Sequence, residues 1–119
     1  MRRPARWTLV WTLLAAGVAA ASHHWSEYDN TRGMWLRGVI HSTWFGRPHQ
    51  MIQLDVQAPQ PGSWTVVLAS PSKMQSRGLP VSRLTAGREV RVYVYPAIDI
   101  PNEARALRIN IDGNVTELW

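Results

Sequence analysis

His23 and His24 stand side by side just after Ala19-Ala20-Ala21, and adjacent imidazoles are good ligands for copper, zinc and nickel. A cut after Ala21 makes Ser22 the new N-terminus and His24 the third residue. The freed amine, two backbone amides and the His24 ring then enclose Cu(II) or Ni(II) in a plane. A cut after Ser22 puts His23 first, where its own amine and ring chelate one metal together. His49 is placed to complete such a site, because Pro48 fixes the backbone before it. Met51, two residues on and so on the same strand face, offers a thioether that favours Cu(I). His41 is a weaker candidate on the outward set of the first strand. The metal set is therefore His23, His24 and His49, with copper the cofactor they would favour. No compact spacing such as H-x-x-x-H marks a metal centre, so solvated or backbone-bonded histidines are the competing explanation.

Other chemistry is thin. Glu27 and Asp29 flank Tyr28 as expected of a solvated edge or turn, and Ser70 and Ser72 flank Pro71 with no His or Asp nearby, which suits helix capping better than nucleophilic attack. No Gly-rich phosphate loop is visible. The absence of cysteine excludes a disulfide framework, a cysteine zinc site and a lipidated N-terminal cysteine. The expectation is a non-enzymatic protein.

Arg2, Arg3 and Arg6 precede an apolar run from Trp7 to Val18 that ends in small residues. This is the layout of a secretory signal peptide over residues 1–21. The run is shorter than the ~20 residues that span a bilayer, so contact with membrane is expected only through the transient leader. A cut after Ala20 or Ser22 is nearly as good as one after Ala21, and Pro4 and Arg6 fit twin-arginine export poorly. The expected location is periplasmic. The formal charge of +5 comes from 13 basic and 8 acidic residues, and three of the basic ones lie in the leader. Ten against eight leaves +2, an ordinary balance that, with export, argues against nucleic acid as a partner.

A chain of 119 residues has room for one core. After an arm at residues 22–33, period-two alternation recurs through residues 34–119 and predicts strands near 35–44, 49–56, 64–69, 89–95, 105–111 and 115–118. Pro59-Gln60-Pro61-Gly62, residues 98–102 and Asp112-Gly113-Asn114 supply turns. Only residues 70–78 favour a helix, with Ser before Pro at the start and Gly at the end. Three strands, a helix and two or three more strands is the order of a mainly β, OB-like Greek-key barrel of five to six strands. Ile52, Leu54, Val56, Val90, Val92 and Val94 should face its core, with Leu107, Ile109, Ile111, Trp64, Val66 and Leu68. The opposite set contains Met51, Arg91, Tyr93, Tyr95 and Arg108, residue types that dominate interface energetics. These five are the expected ligand or partner surface. The partner would be another exported protein or a small ligand.

The motif His23-His24-Trp25-Ser26-Glu27-Tyr28-Asp29, followed by Gly38-Val39, Trp44 and Arg47-Pro48-His49, resembles a family of small exported bacterial proteins of unknown function. Its turn usually has Asn-Pro-His where Arg47 stands here. Trp64-Thr65-Val66, Ser70-Pro71-Ser72, Arg77-Gly78-Leu79 and residues 84–90 resemble its later elements. The resemblance implies export, an OB-like barrel, and His23, His24 and His49 as motif positions. It implies no activity and supplies no catalytic residue. A cation at Arg47 disfavours a metal cation beside His49 unless an acid compensates.

Overall fold

Short runs of β-branched and aliphatic residues at alternate positions fold into strands that bury one face. The computed structural model describes residues 23–119; the expected leader and Ser22 lie outside the described residues. A 3-10 turn at Trp25–Glu27 leads to β1 (Met34–Gly46), β2 (His49–Ala58), β3 (Gly62–Val67), a helix α1 (Pro71–Ser76), a 3-10 turn at Val81–Arg83, β4 (Glu89–Pro96), β5 (Glu103–Ile111) and β6 (Asn114–Glu117).

The strands neighbour one another in the order β3-β2-β1-β4-β5-β6. A parallel pairing of Thr65, Val66 and Val67 with Glu103, Ala104 and Arg105 joins β3 to β5 and closes five strands into a barrel. Closure removes the open edges of a sheet. β6 hangs on the far half of β5, from Arg108 to Ile111. This is the mainly β, OB-like barrel with one short helix that the alternation pattern predicts.

A strand that serves two neighbours around a small barrel must bend. β1 does so at register shifts beside Gly38 and His41. A Cβ at Gly38 would collide with the Asp55 carbonyl oxygen, so only glycine lets the two strands approach there. In α1, Pro71 occupies the first turn and the Ser70 hydroxyl accepts from the Lys73 N–H at 3.2 Å, a capping arrangement that satisfies an otherwise orphan donor. Met74, fully buried, carries the helix into the core. At the β5–β6 turn Asp112 and Gly113 both have positive φ, as a two-residue hairpin requires.

Three expected positions differ. Leu107 is half-buried rather than in the core. β5 slips register between the pairs Tyr93–Arg108 and Val94–Ala106, which leaves Leu107 as an extra residue and puts Ala104 and Ala106 inside instead. Trp64 only borders the core cluster. Met51, expected on the exposed face, is buried against Tyr28 of the N-terminal arm.

The slip assigns inward and outward residues side by side on β5. Ile109→Asp places an unpaired charge in the core at a cost of several kcal/mol, comparable to the whole stability of a small domain, and is expected to abolish folding. Arg108→Ala loses an exposed ion pair with Glu117 and is expected to cost less than about 1 kcal/mol. Urea unfolding followed by circular dichroism measures both.

Candidate functional site

The N-terminal arm is a strap on the outside of the barrel. Tyr28 forms an isolated antiparallel bridge with Ala97; the Asp29 N–H donates to the Pro96 carbonyl at 2.8 Å, and the Ile98 N–H donates to the Glu27 carbonyl at 3.0 Å. These bonds lay the arm along the end of β4. The Tyr28 ring then covers Met51 and Val67, with Tyr95 and Ala97 packed at its rim. Alternation does place Met51 opposite the core residue Ile52. Its outward face is sealed by Tyr28, so Met51 is not part of an exposed ligand surface.

A polar cluster surrounds the Tyr28 hydroxyl, which donates to Glu103 Oε2 at 2.7 Å. It lies 3.1 Å from His23 Nδ1, and that nitrogen is 3.6 Å from the same carboxylate oxygen. Arg105, two residues along β5 from Glu103 and on the same face, donates through Nη1 to the His23 carbonyl. Its Nη2 lies 3.4 Å from His49 Nε2. The guanidinium stacks on the Trp25 ring at 3.8 Å, a close cation–π contact. Burial, then the hydrogen bond and charge of Glu103, push the Tyr28 phenol well above its ordinary range, so it is a committed donor. Burial also lowers Arg105, though a guanidinium stays charged.

The structure brings His23 and His49 together, with ring centroids 6.0 Å apart. What stands at His49 Nε2, the nitrogen that would ligate a metal, is the Arg105 guanidinium. Burial, followed by Arg105, His23 and Lys73, lowers the His49 pKa. The ring is thus neutral at pH 7 with Nε2 accepting from Arg105, and Nδ1 is buried without a partner. His24 is exposed and precedes the 3-10 turn. Among the described residues no group of three or more His, Asp or Glu side chains is arranged to hold a metal ion.

From Arg105 an aromatic row runs across the outer face. Trp25 meets Tyr95 edge to face at 6.2 Å, Tyr95 meets Tyr93 at 6.3 Å, and Tyr93 meets Trp35 at 5.4 Å. Arg108 sits over Tyr93 at 5.3 Å and pairs with Glu117 at 3.2 Å. Beside the row, Trp25, Tyr95, Trp119, Asn30 and Leu107 line a shallow groove of about 260 Å³. The β5 slip that takes Leu107 out of the core supplies the wall of this groove. Of the expected surface, Tyr93, Tyr95 and Arg108 join the row, while Arg91 lines a second groove at its Trp35 end, with Asn110.

Residue pattern alone does not gather Trp25, Tyr28, Glu103 and Arg105 into one site. Glu103 and Arg105 alternate on one strand face, a visible signal. Only the parallel closure of β5 against β3 carries that face to His49.

A model described as a family of unknown function (DUF6152) matches residues 11–104, and the chain belongs to that family. No curated protein matches the chain. A solved crystal structure of a complex of TiaS with tRNA and ATP matches with a TM-score of 0.52 and 21% identity, over 77% of this chain and 20% of that one. At that identity the likeness concerns the fold alone.

Two outcomes follow from the strap. Tyr28→Phe strips the Glu103 carboxylate and His23 of their shared partner and is expected to cost about 1–3 kcal/mol in urea unfolding. Because folding depresses the His49 pKa below its ordinary 6.5, the unfolded chain takes up the proton first as pH falls. His49 therefore favours the folded state above pH 6.5, and that contribution is lost as pH drops through the folded value. Thermal midpoints measured between pH 7.5 and pH 5 are expected to decline less steeply in His49→Gln than in the parent.

Proposed function

We propose that this DUF6152 member is an exported, non-enzymatic binding module that holds another exported protein or a small ligand on its aromatic–arginine face. The observation that carries this is the row Trp25, Tyr95, Tyr93 and Trp35, flanked by Arg105 and Arg108 and bordering the Trp119 groove. Aromatic rings and guanidinium groups give large contact area and directed hydrogen bonds at low entropic cost, and they dominate the energetics of interfaces. The rings pack on one another and on the strap, so the face is organised before a partner arrives.

Export rests on the basic and apolar leader ending at Ala21. A non-enzymatic role is supported by the commitment of the Tyr28 hydroxyl to Glu103 and of His49 to Arg105, which leaves neither a nucleophile beside a base. The similar barrel in the solved complex belongs to an assembly with tRNA. Here Arg108 is paired with Glu117 and the processed chain carries only +2, so nucleic acid is not the proposed ligand.

A second proposal, binding or delivery of copper or another transition metal through the processed N-terminus and His49, draws on the approach of His23 to His49. It would require Arg105 to move aside.

One preparation tests both. Protein recovered from the exporting cell is expected to begin at Ser22 by mass spectrometry. A photo-crosslinking residue at Trp119 or Tyr93 is expected to give a discrete adduct that the same residue at Val115 does not. Cu(II) titration is expected to be unchanged by His49→Ala; a weakened affinity would move the assignment to the metal.

A further inference from the structure

The far end of β1 is an edge that runs past β4 and turns through Arg47-Pro48 into β2, whose other side stays bonded to β3 and the residues after it as far as Gln50. Pairing of β1 with β4 ends at Val39, whereas Ser42 to Gly46 pair only with β2, from Gln53 back to His49. At its tip Trp44 is 41% exposed and Phe45 is 53% exposed. Successive side chains on a strand point to opposite faces, so this tip presents a partly exposed ring on each side. Arg47 follows in the turn, its guanidinium 6.0 Å from the Phe45 ring centroid.

The charges nearest the tip along the chain are basic. Asp55 is the sole acid between residues 30 and 88, and it lies well along β2 from the turn. It pairs with His41 at 3.6 Å. Lys73 of α1 is near enough to act on His49, and the Gln50 N–H donates to the Ala69 carbonyl just before α1, so the helix brings its cation to the same end as Arg47. Another exposed apolar pair, Ile98 and Ile100, brackets Asp99, and Ile100 borders a pocket with Glu27 and Glu103, which an anionic surface would repel.

We propose that the Trp44-Phe45-Gly46-Arg47 tip seats in the headgroup layer of an anionic phospholipid bilayer and holds the barrel at a membrane surface. Tryptophan prefers that depth, where its ring is apolar and its N–H stays hydrated. Arg47 and Lys73 meet the lipid phosphates, each basic group near such a surface adding roughly fivefold in affinity. The contact is distinct from the aromatic–arginine face and leaves that face open to a partner.

The test is flotation of the exported protein, its N-terminus first verified to lack residues 1–21, with vesicles of phosphatidylglycerol and phosphatidylcholine or of phosphatidylcholine alone. The parent is expected to float with the anionic vesicles and to bind pure phosphatidylcholine several-fold more weakly. Trp44→Ser with Phe45→Ser removes two exposed rings, so its thermal midpoint should be kept while binding falls about tenfold or more. Arg47→Glu should weaken binding to the anionic vesicles alone, and Ile98→Ser with Ile100→Ser should float as the parent does. Failure of the parent to float, or equal flotation of the tip variant, overturns the proposal. So does a concentration-dependent dimer in light scattering that the tip variant abolishes and vesicles do not compete away, because the tip would then face a second copy of the chain.

Discussion

The parallel pairing of β5 with β3 is the constraint on which the rest depends. The three β5 residues that close the barrel, Glu103, Ala104 and Arg105, divide their side chains between two tasks. Ala104 turns inward and fits, fully buried, into the core. Glu103 and Arg105 turn outward and supply the polar ties that hold the N-terminal strap, one through the Tyr28 hydroxyl and the other through the His23 carbonyl and the Trp25 ring. Barrel closure and strap capture are thus consequences of the same short run of chain. Without closure there would be no face on which His23, Trp25, Tyr28 and His49 could meet.

The second half of β5 follows from the first. Having paired with β3, the strand must also meet β6, and it slips register against β4 on the way. That slip takes Leu107 out of the core and brings Arg108 over Tyr93. The result is a continuous outer face of rings and guanidinium groups with a groove at its edge. The core side of β4 and the outer side of the same strand thus serve different ends, Val92 and Val94 for stability, Tyr93 and Tyr95 for contact. The tip formed by β1 and β2 carries a separate pair of partly exposed rings, Trp44 and Phe45, with Arg47 in the turn beside them.

Much of this was legible in the residues. Alternation in β2 and β4 gave the inward residues Ile52, Leu54, Val56, Val90, Val92 and Val94, because a strand buried on one face leaves a period of two. Ser70-Pro71 announced the helix, and Asp112-Gly113 the tight hairpin, through local backbone chemistry. What alternation could not show was the slip at Leu107, since a bulge shifts the period without leaving a marker residue. Nor could it show that the outward Met51 is covered, because its cover, Tyr28, is 23 positions away and no local pattern ties the two. The histidines stood out by type. The cation between them did not, since the alternation that puts Leu107, Ile109 and Ile111 inside puts Arg105 on the same side, and only the slip turns it outward.

The claim at the centre is that the arm is a seated part of the barrel, and amide hydrogen exchange addresses it most directly. The Asp29 and Ile98 amides, bonded to Pro96 and Glu27 across the strap, should exchange slowly, on the scale of amides within β4. If they exchange as fast as the exposed turn that follows Asp29, the strap is not seated, and the account of the face it organises is wrong.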